Sequence, residues 1–130
     1  MLLTSEKKNR VEFEEIIERI DFIDIIVLKK FYFTEKGFPN DMEVYCLPVL
    51  VKELKNVHNI NLTKDAIRKR LLKLVKIGLL EKVKNSNPSI YLPIEEKKEF
   101  VEKLIKTFII RSGLQNLFFH HTKNSYNTDH

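Results

Sequence analysis

The positive charge of this chain is gathered into one stretch. Between Lys64 and Lys84 there are eight Lys or Arg against two Asp or Glu, a net of +6, while the full 130 residues carry +5. The remainder of the chain is therefore slightly acidic. Any fold the sequence adopts must display this segment where like charges are tolerated, on an open surface or against an anionic partner. The segment also has a regular internal pattern. Thr63 is a good N-cap, able to accept a free backbone N–H of a following first turn. Asp65 falls in that turn, where the helix dipole favours a carboxylate. Ile67, Leu71 and Leu74 recur at helical spacing and lead to Gly78, a residue suited to the left-handed position that ends a helix. The spacing predicts a basic helix over 63–77 with one buried face.

At about 100° per residue, Asp65, Arg68, Lys69, Leu72 and Lys76 lie about 100–200° from Ile67, with Lys64 and Lys73 on the flanks. A charge run is often only a solvated helix face. Here it is followed by Gly78-Leu79-Leu80-Glu81-Lys82-Val83-Lys84, a polar turn Asn85-Ser86-Asn87-Pro88, and the returning Ser89-Ile90-Tyr91-Leu92. That succession predicts a short hairpin with a basic arm. Placing Leu80 and Val83 inward on the first arm, with Ile90 and Leu92 on the second, requires a bulge, because strand side chains alternate.

The basic helix with Ile67, Leu71 and Leu74, the Gly78-Leu79-Leu80 step and the returning Tyr91-Leu92 together resemble a winged helix-turn-helix, in the broad manner of MarR-, ArsR- and PadR-type transcription regulators. The resemblance covers roughly Asp21 to Ile94 and does not select a subfamily. It implies a mostly α fold with a small β-hairpin wing, extended by extra N- and C-terminal helices. It also implies double-stranded DNA as the partner. The first helix of the motif pair would brace the DNA backbone while the second enters the major groove.

The rest of the chain fits around that motif. Residues 1–20 read as an N-terminal helix for packing or dimerisation, with Phe13, Ile16, Ile17 and Ile20 as its stripe and Glu12, Glu14, Glu15 and Glu18 among its polar residues. Residues 21–93 form the winged helix-turn-helix domain. Asp21 to Thr34 is broadly apolar, which suits burial on more than one side. The sequence leaves open whether it continues the first helix with a bend. Gly37 and Pro39 mark a loop, and Val44 to Cys46 suit a short strand beside the wing. Pro48 fits the first turn of a helix whose stripe is Leu47, Leu50, Val51, Leu54 and Val57. Asn59 tolerates a left-handed backbone at the turn, and Ile60 and Leu62 point to the core. Residues 94–112 read as a C-terminal helix and candidate dimer seam, and 113–130 as a tail.

Composition narrows the classes. Apolar residues at 43% and charged residues at 32% describe a globular domain. With one cysteine, Cys46, no internal disulfide exists, which suits a reducing compartment. Met1-Leu2-Leu3 passes at once into Thr4-Ser5-Glu6-Lys7-Lys8, without a secretory pattern. The longest apolar run, Val44 to Val51, contains Pro48 and is far short of the roughly 18 residues of a spanning helix. The expected location is the cytoplasm, with no membrane partner. Three glycines leave no phosphate-cradling loop, and no zinc-protease or nucleophile-elbow motif occurs, so no enzyme activity is expected. His120 and His121 with His130 do not form a metal-ligand pattern, and neither metal nor cofactor is expected.

The expected function is sequence-specific DNA binding by a homodimeric transcription regulator. Arg68 is the leading candidate for a bidentate base contact. Lys64, Lys69, Lys73 and Lys76 would sit on phosphates or reach base edges. Thr63 caps, and Asp65 caps or accepts from a cytosine amino group. Lys82, Lys84 and Asn87 on the wing would hold flanking phosphates or enter the minor groove. Leu72 is apolar on the outward face, suited to packing beside the wing or to a thymine methyl. The alternatives are a winged-helix protein-interaction module meeting an acidic surface, and a replication or plasmid-maintenance protein that binds DNA without regulating transcription.

Overall fold

A computed structural model describes residues 2–33 and 46–113, with only the backbone described for residues 2–10. Among them are five α-helices and one two-stranded antiparallel sheet: α1 (Leu2–Arg19), α2 (Phe22–Tyr32), α3 (Leu47–His58), α4 (Lys64–Lys76), β1 (Leu80–Lys82), β2 (Tyr91–Pro93) and α5 (Lys98–Ser112), the last preceded by a 3-10 turn over Glu95–Lys97. The chain is mostly helical with a small β-hairpin. None of the described helices is long and apolar enough to cross a membrane.

The described residues divide into two units, Asp21–Val101 and a smaller one formed by residues up to Ile20 with those from Glu102 onward. In the smaller unit the α1 stripe of Phe13, Ile16, Ile17 and Ile20 is buried, as are Leu104, Ile105 and Ile109 of α5. Arg111 grips Glu14 with two parallel bonds of 2.9 Å. Lys103 lies 5.1 Å over the Phe13 ring. Val11 and Ile110 remain exposed.

The helices α1 and α2 are separate, and the break has a local cause. Asp21 takes extended backbone angles as the N-cap of α2 and accepts from the Asp24 N–H at 2.9 Å. Asp24 reciprocates, accepting from the Asp21 N–H at 3.1 Å. Two otherwise orphaned donors are satisfied at once, the capping-box arrangement built here from two aspartates. Beyond this cap α2 buries Ile25 through Leu28 and then Phe31 and Tyr32, leaving little of its circumference to water.

Local signals set the next two helices. Pro48 lies in the first turn of α3. Asn59 ends α3 in the left-handed region at φ 56°, its N–H bonded to Lys55 O at 3.1 Å. Leu47, Leu50 and Leu54 of α3 are buried, and Ile60 and Leu62 of the turn are half-buried. Val57 does not continue the stripe; it is 61% exposed, since the packed length of α3 ends at Leu54. Thr63 caps α4 by accepting from the Ala66 N–H at 3.0 Å. Gly78 follows α4 at φ 86°, with no atom within 4 Å of where a Cβ would stand, so backbone conformation rather than space selects glycine.

The hairpin pairs Leu80 with Pro93, Glu81 with Leu92 and Lys82 with Tyr91. In this register Leu80 and Tyr91 are the buried residues, while Val83, Ile90 and Leu92 are half-buried. The inward placement expected for Val83, Ile90 and Leu92 therefore does not hold. Directly opposed residues share a sheet face, so pairing Leu80 with Pro93 puts Tyr91 on the core side and Leu92 on the other. Ser86 closes the turn, donating to Val83 O at 3.1 Å and accepting from Ile90 N at 3.0 Å. Cys46 makes a single bridge to Ile90, the one described part of the expected third strand; Val44 and Tyr45 lie outside the described residues.

One side chain joins three of these elements. The buried Tyr32 hydroxyl at the end of α2 donates to Leu79 O at 2.5 Å and accepts from Ile94 N at 3.0 Å, tying α2 to both ends of the hairpin.

Candidate nucleic-acid interface

Helix α4 presents two kinds of cation. Ile67, Leu71 and Leu74 turn inward and are at most 1% exposed. On the opposite face Asp65, Lys69, Leu72 and Lys76 are exposed, and Lys64 is exposed on the flank. Arg68 is half-buried and donates to Asp65 at 2.8 Å, while Lys69 lies 3.9 Å from the same carboxylate. Such exposed pairs one helical turn apart contribute only about 0.3–0.5 kcal/mol each, so they orient more than they stabilise. Asp65 therefore acts toward its own helix, steadying the Arg68 guanidinium.

The other flank of α4 faces α2. Arg70 donates to both oxygens of Asp21 at 2.7 Å and to Asp24 at 3.1 Å. The Lys73 ammonium bonds the second Asp24 oxygen. Asp24 is wholly buried, and it is the one buried charged residue among those described. A buried carboxylate is tolerable only when paired and hydrogen-bonded. Two cations and the Asp21 N–H meet that need here. Burial works to raise the Asp21 carboxyl, but the Arg70 bond, the Asp24 N–H and the nearby positive charges outweigh it and hold the group below the usual carboxylate range. Burial likewise opposes the charged form of Arg70, and the aspartates more than offset it.

Lys73 thus differs from its expected place among the phosphate-facing residues. At about 100° per residue it lies roughly 120° from Ile67 on the side of Arg70, and the helix-to-helix contact claims it. Arg70, which the sequence pattern did not single out, serves the same contact. The Asp21-x-x-Asp24 spacing was the available signal for the cap, but its pairing with residues 46 and 49 positions away had no local signature.

On the hairpin Lys82, Lys84 and Asn87 are exposed, while Ser86 is spent on closing the turn. The Tyr91 hydroxyl is buried with no hydrogen-bond partner among the described residues. Burial raises its pKa, and the Arg68 charge and the Ser89 side chain offset that only in part. Leu72, on the outward face of α4, is 42% exposed.

No group of three His, Cys, Asp or Glu among the described residues is placed to hold a metal ion. His120, His121 and His130 lie outside those residues. No protein-family model matches this chain, and no curated protein and no solved structure shows significant similarity to it.

Proposed function

We propose that this protein is a winged helix-turn-helix transcription regulator that binds double-stranded DNA sequence-specifically as a homodimer. In this reading α4 enters the major groove, α3 braces the backbone, and the hairpin reaches flanking phosphates or the minor groove. The observation that supports it is the exposed stripe of Lys64, Lys69 and Lys76 around Arg68, opposite the buried face of α4, in a segment of net +6. Arg68 reads a base edge, steadied by Asp65. Lys64, Lys69, Lys76, Lys82 and Lys84 engage phosphates, with Asn87 at the hairpin tip. Lys73 is left out of that set because Asp24 occupies it. Two copies would present their α4 helices to half-sites about 34–36 Å apart.

The test is a titration on duplex DNA at several salt concentrations. Neutralising Arg68 and Lys69 together should weaken binding and flatten the dependence of log K on log salt, by about 0.9 for each phosphate no longer neutralised. Unchanged affinity and slope in the double variant would remove α4 from the interface. Weak, salt-insensitive DNA binding beside a stable acidic protein partner would favour an interaction module. Footprints at an origin rather than at promoters would favour a replication or plasmid-maintenance role.

A further inference from the structure

The outward face of α4 is not uniformly charged. Leu72 sits within it at 42% exposure, whereas the other three leucine and isoleucine residues that define the helix's apolar face are at most 1% exposed. By helical geometry Leu72 is the surface neighbour of Arg68 and Lys76, four residues away on either side, and of Lys69, three residues away. It is a small exposed apolar spot bordered by those three cations, with the half-buried Val75, three residues on, as its fourth neighbour. A second copy of the same face would bring those cations against their own kind. An anionic membrane would match the cations but needs a far broader apolar face than one leucine, and an ordinary apolar groove would leave the cations unmatched. A DNA major groove offers both chemistries together. Its walls are phosphate, and its floor carries one apolar group, the C5 methyl of thymine.

Resting on the DNA-binding reading above, we infer that Leu72 is a specificity-determining residue that selects a thymine by contact with its C5 methyl. The neighbouring cations position the helix, and Leu72 discriminates thymine from cytosine at one base pair. The side chain needs no rearrangement for this, since it is already open to solvent. Removing one buried methyl is expected to weaken binding about fourfold.

The experiment is selection of bound duplexes from a random library by the full-length wild-type chain. Each thymine of the selected site is then replaced by deoxyuridine, which removes only the methyl. The inference expects one position where wild type loses about fourfold in affinity and where Leu72→Ala shows no further loss. Alanine is a strong helix former at an exposed site, so this variant should keep the wild-type helical content. Selection of a site in which no deoxyuridine costs affinity, or in which Leu72→Ala suffers the same loss as wild type, would overturn the role of Leu72 and leave DNA binding intact. Failure to retain any sequence from the library would remove both readings together.

Discussion

Replacing Asp24 by Asn should loosen the contact between α2 and α4 more than any other single-atom exchange in the larger unit. Asparagine keeps the shape and an acceptor for the Asp21 N–H, so the perturbation is the missing charge together with an amide donor turned toward a cation that the carboxylate had received. Asp24 is 0% exposed, and its partners Lys73 and Arg70 keep 31% and 23% of their side chains in water. Breaking a fully buried pair costs about 3–5 kcal/mol. The partial hydration of both cations, and the bonds Arg70 retains to Asp21, reduce that to about 2–3 kcal/mol. In a domain of this size the melting temperature should fall by roughly 10–20 °C. The assay is thermal and urea unfolding at pH 7, with the urea m-value unchanged, so that the shift reports stability alone. A companion Lys73→Gln variant, and the double variant, complete a cycle. The double variant should be less destabilised than the sum of the singles by at least about 1 kcal/mol, because either substitution already breaks the pair. An Asp24→Asn protein within about 0.5 kcal/mol of wild type, or strict additivity in the cycle, would refute the reasoning.

On the DNA-binding proposal, the same contact should separate Lys73 from Lys76. Lys76→Ala should lower the salt slope of DNA binding by about 1, while Lys73→Gln should leave it unchanged in measurements made below the melting temperature of each variant. Tyr32→Phe strips the bonds that Leu79 O and Ile94 N make to the hydroxyl and should cost about 1–3 kcal/mol in urea unfolding, with little change in packing. Acid stability should follow the Asp21 carboxyl, whose folded value lies below its ordinary 3.8. A lowered value contributes stability above the unfolded pKa that disappears as pH falls through the folded one. Melting temperature should therefore drop as pH is taken below about 4, and the drop should be smaller in Asp21→Asn.

Much of the backbone was legible because its causes are local. Thr63 caps the helix that begins beside it, Pro48 opens α3, Asn59 turns the chain at the next step, and Gly78 lets it leave α4. In each case the residue and the conformation it permits lie within a turn of one another, so the pattern in the chain carries the information. The inward face of α4 was legible for the same reason, since Ile67, Leu71 and Leu74 mark one side of a 3.6-residue period. The hairpin was foreseen as an element but not in its register. Three-residue strands hold too few side chains to choose between faces, and the choice fell to Tyr91 because that pairing buries the largest ring.

Which cations are already spoken for was settled only when distant helices met. Arg70 and Lys73 look the same as Lys69 and Lys76 in composition and spacing. They differ because α2 brings Asp21 and a buried Asp24 against one flank of α4, from 46 to 49 residues away. Charge along a chain counts how much positive potential a segment carries. The opposing carboxylates, Asp24 above all because it is buried, determine how much of it remains for a partner, since a charge removed from water binds the nearest counter-charge first.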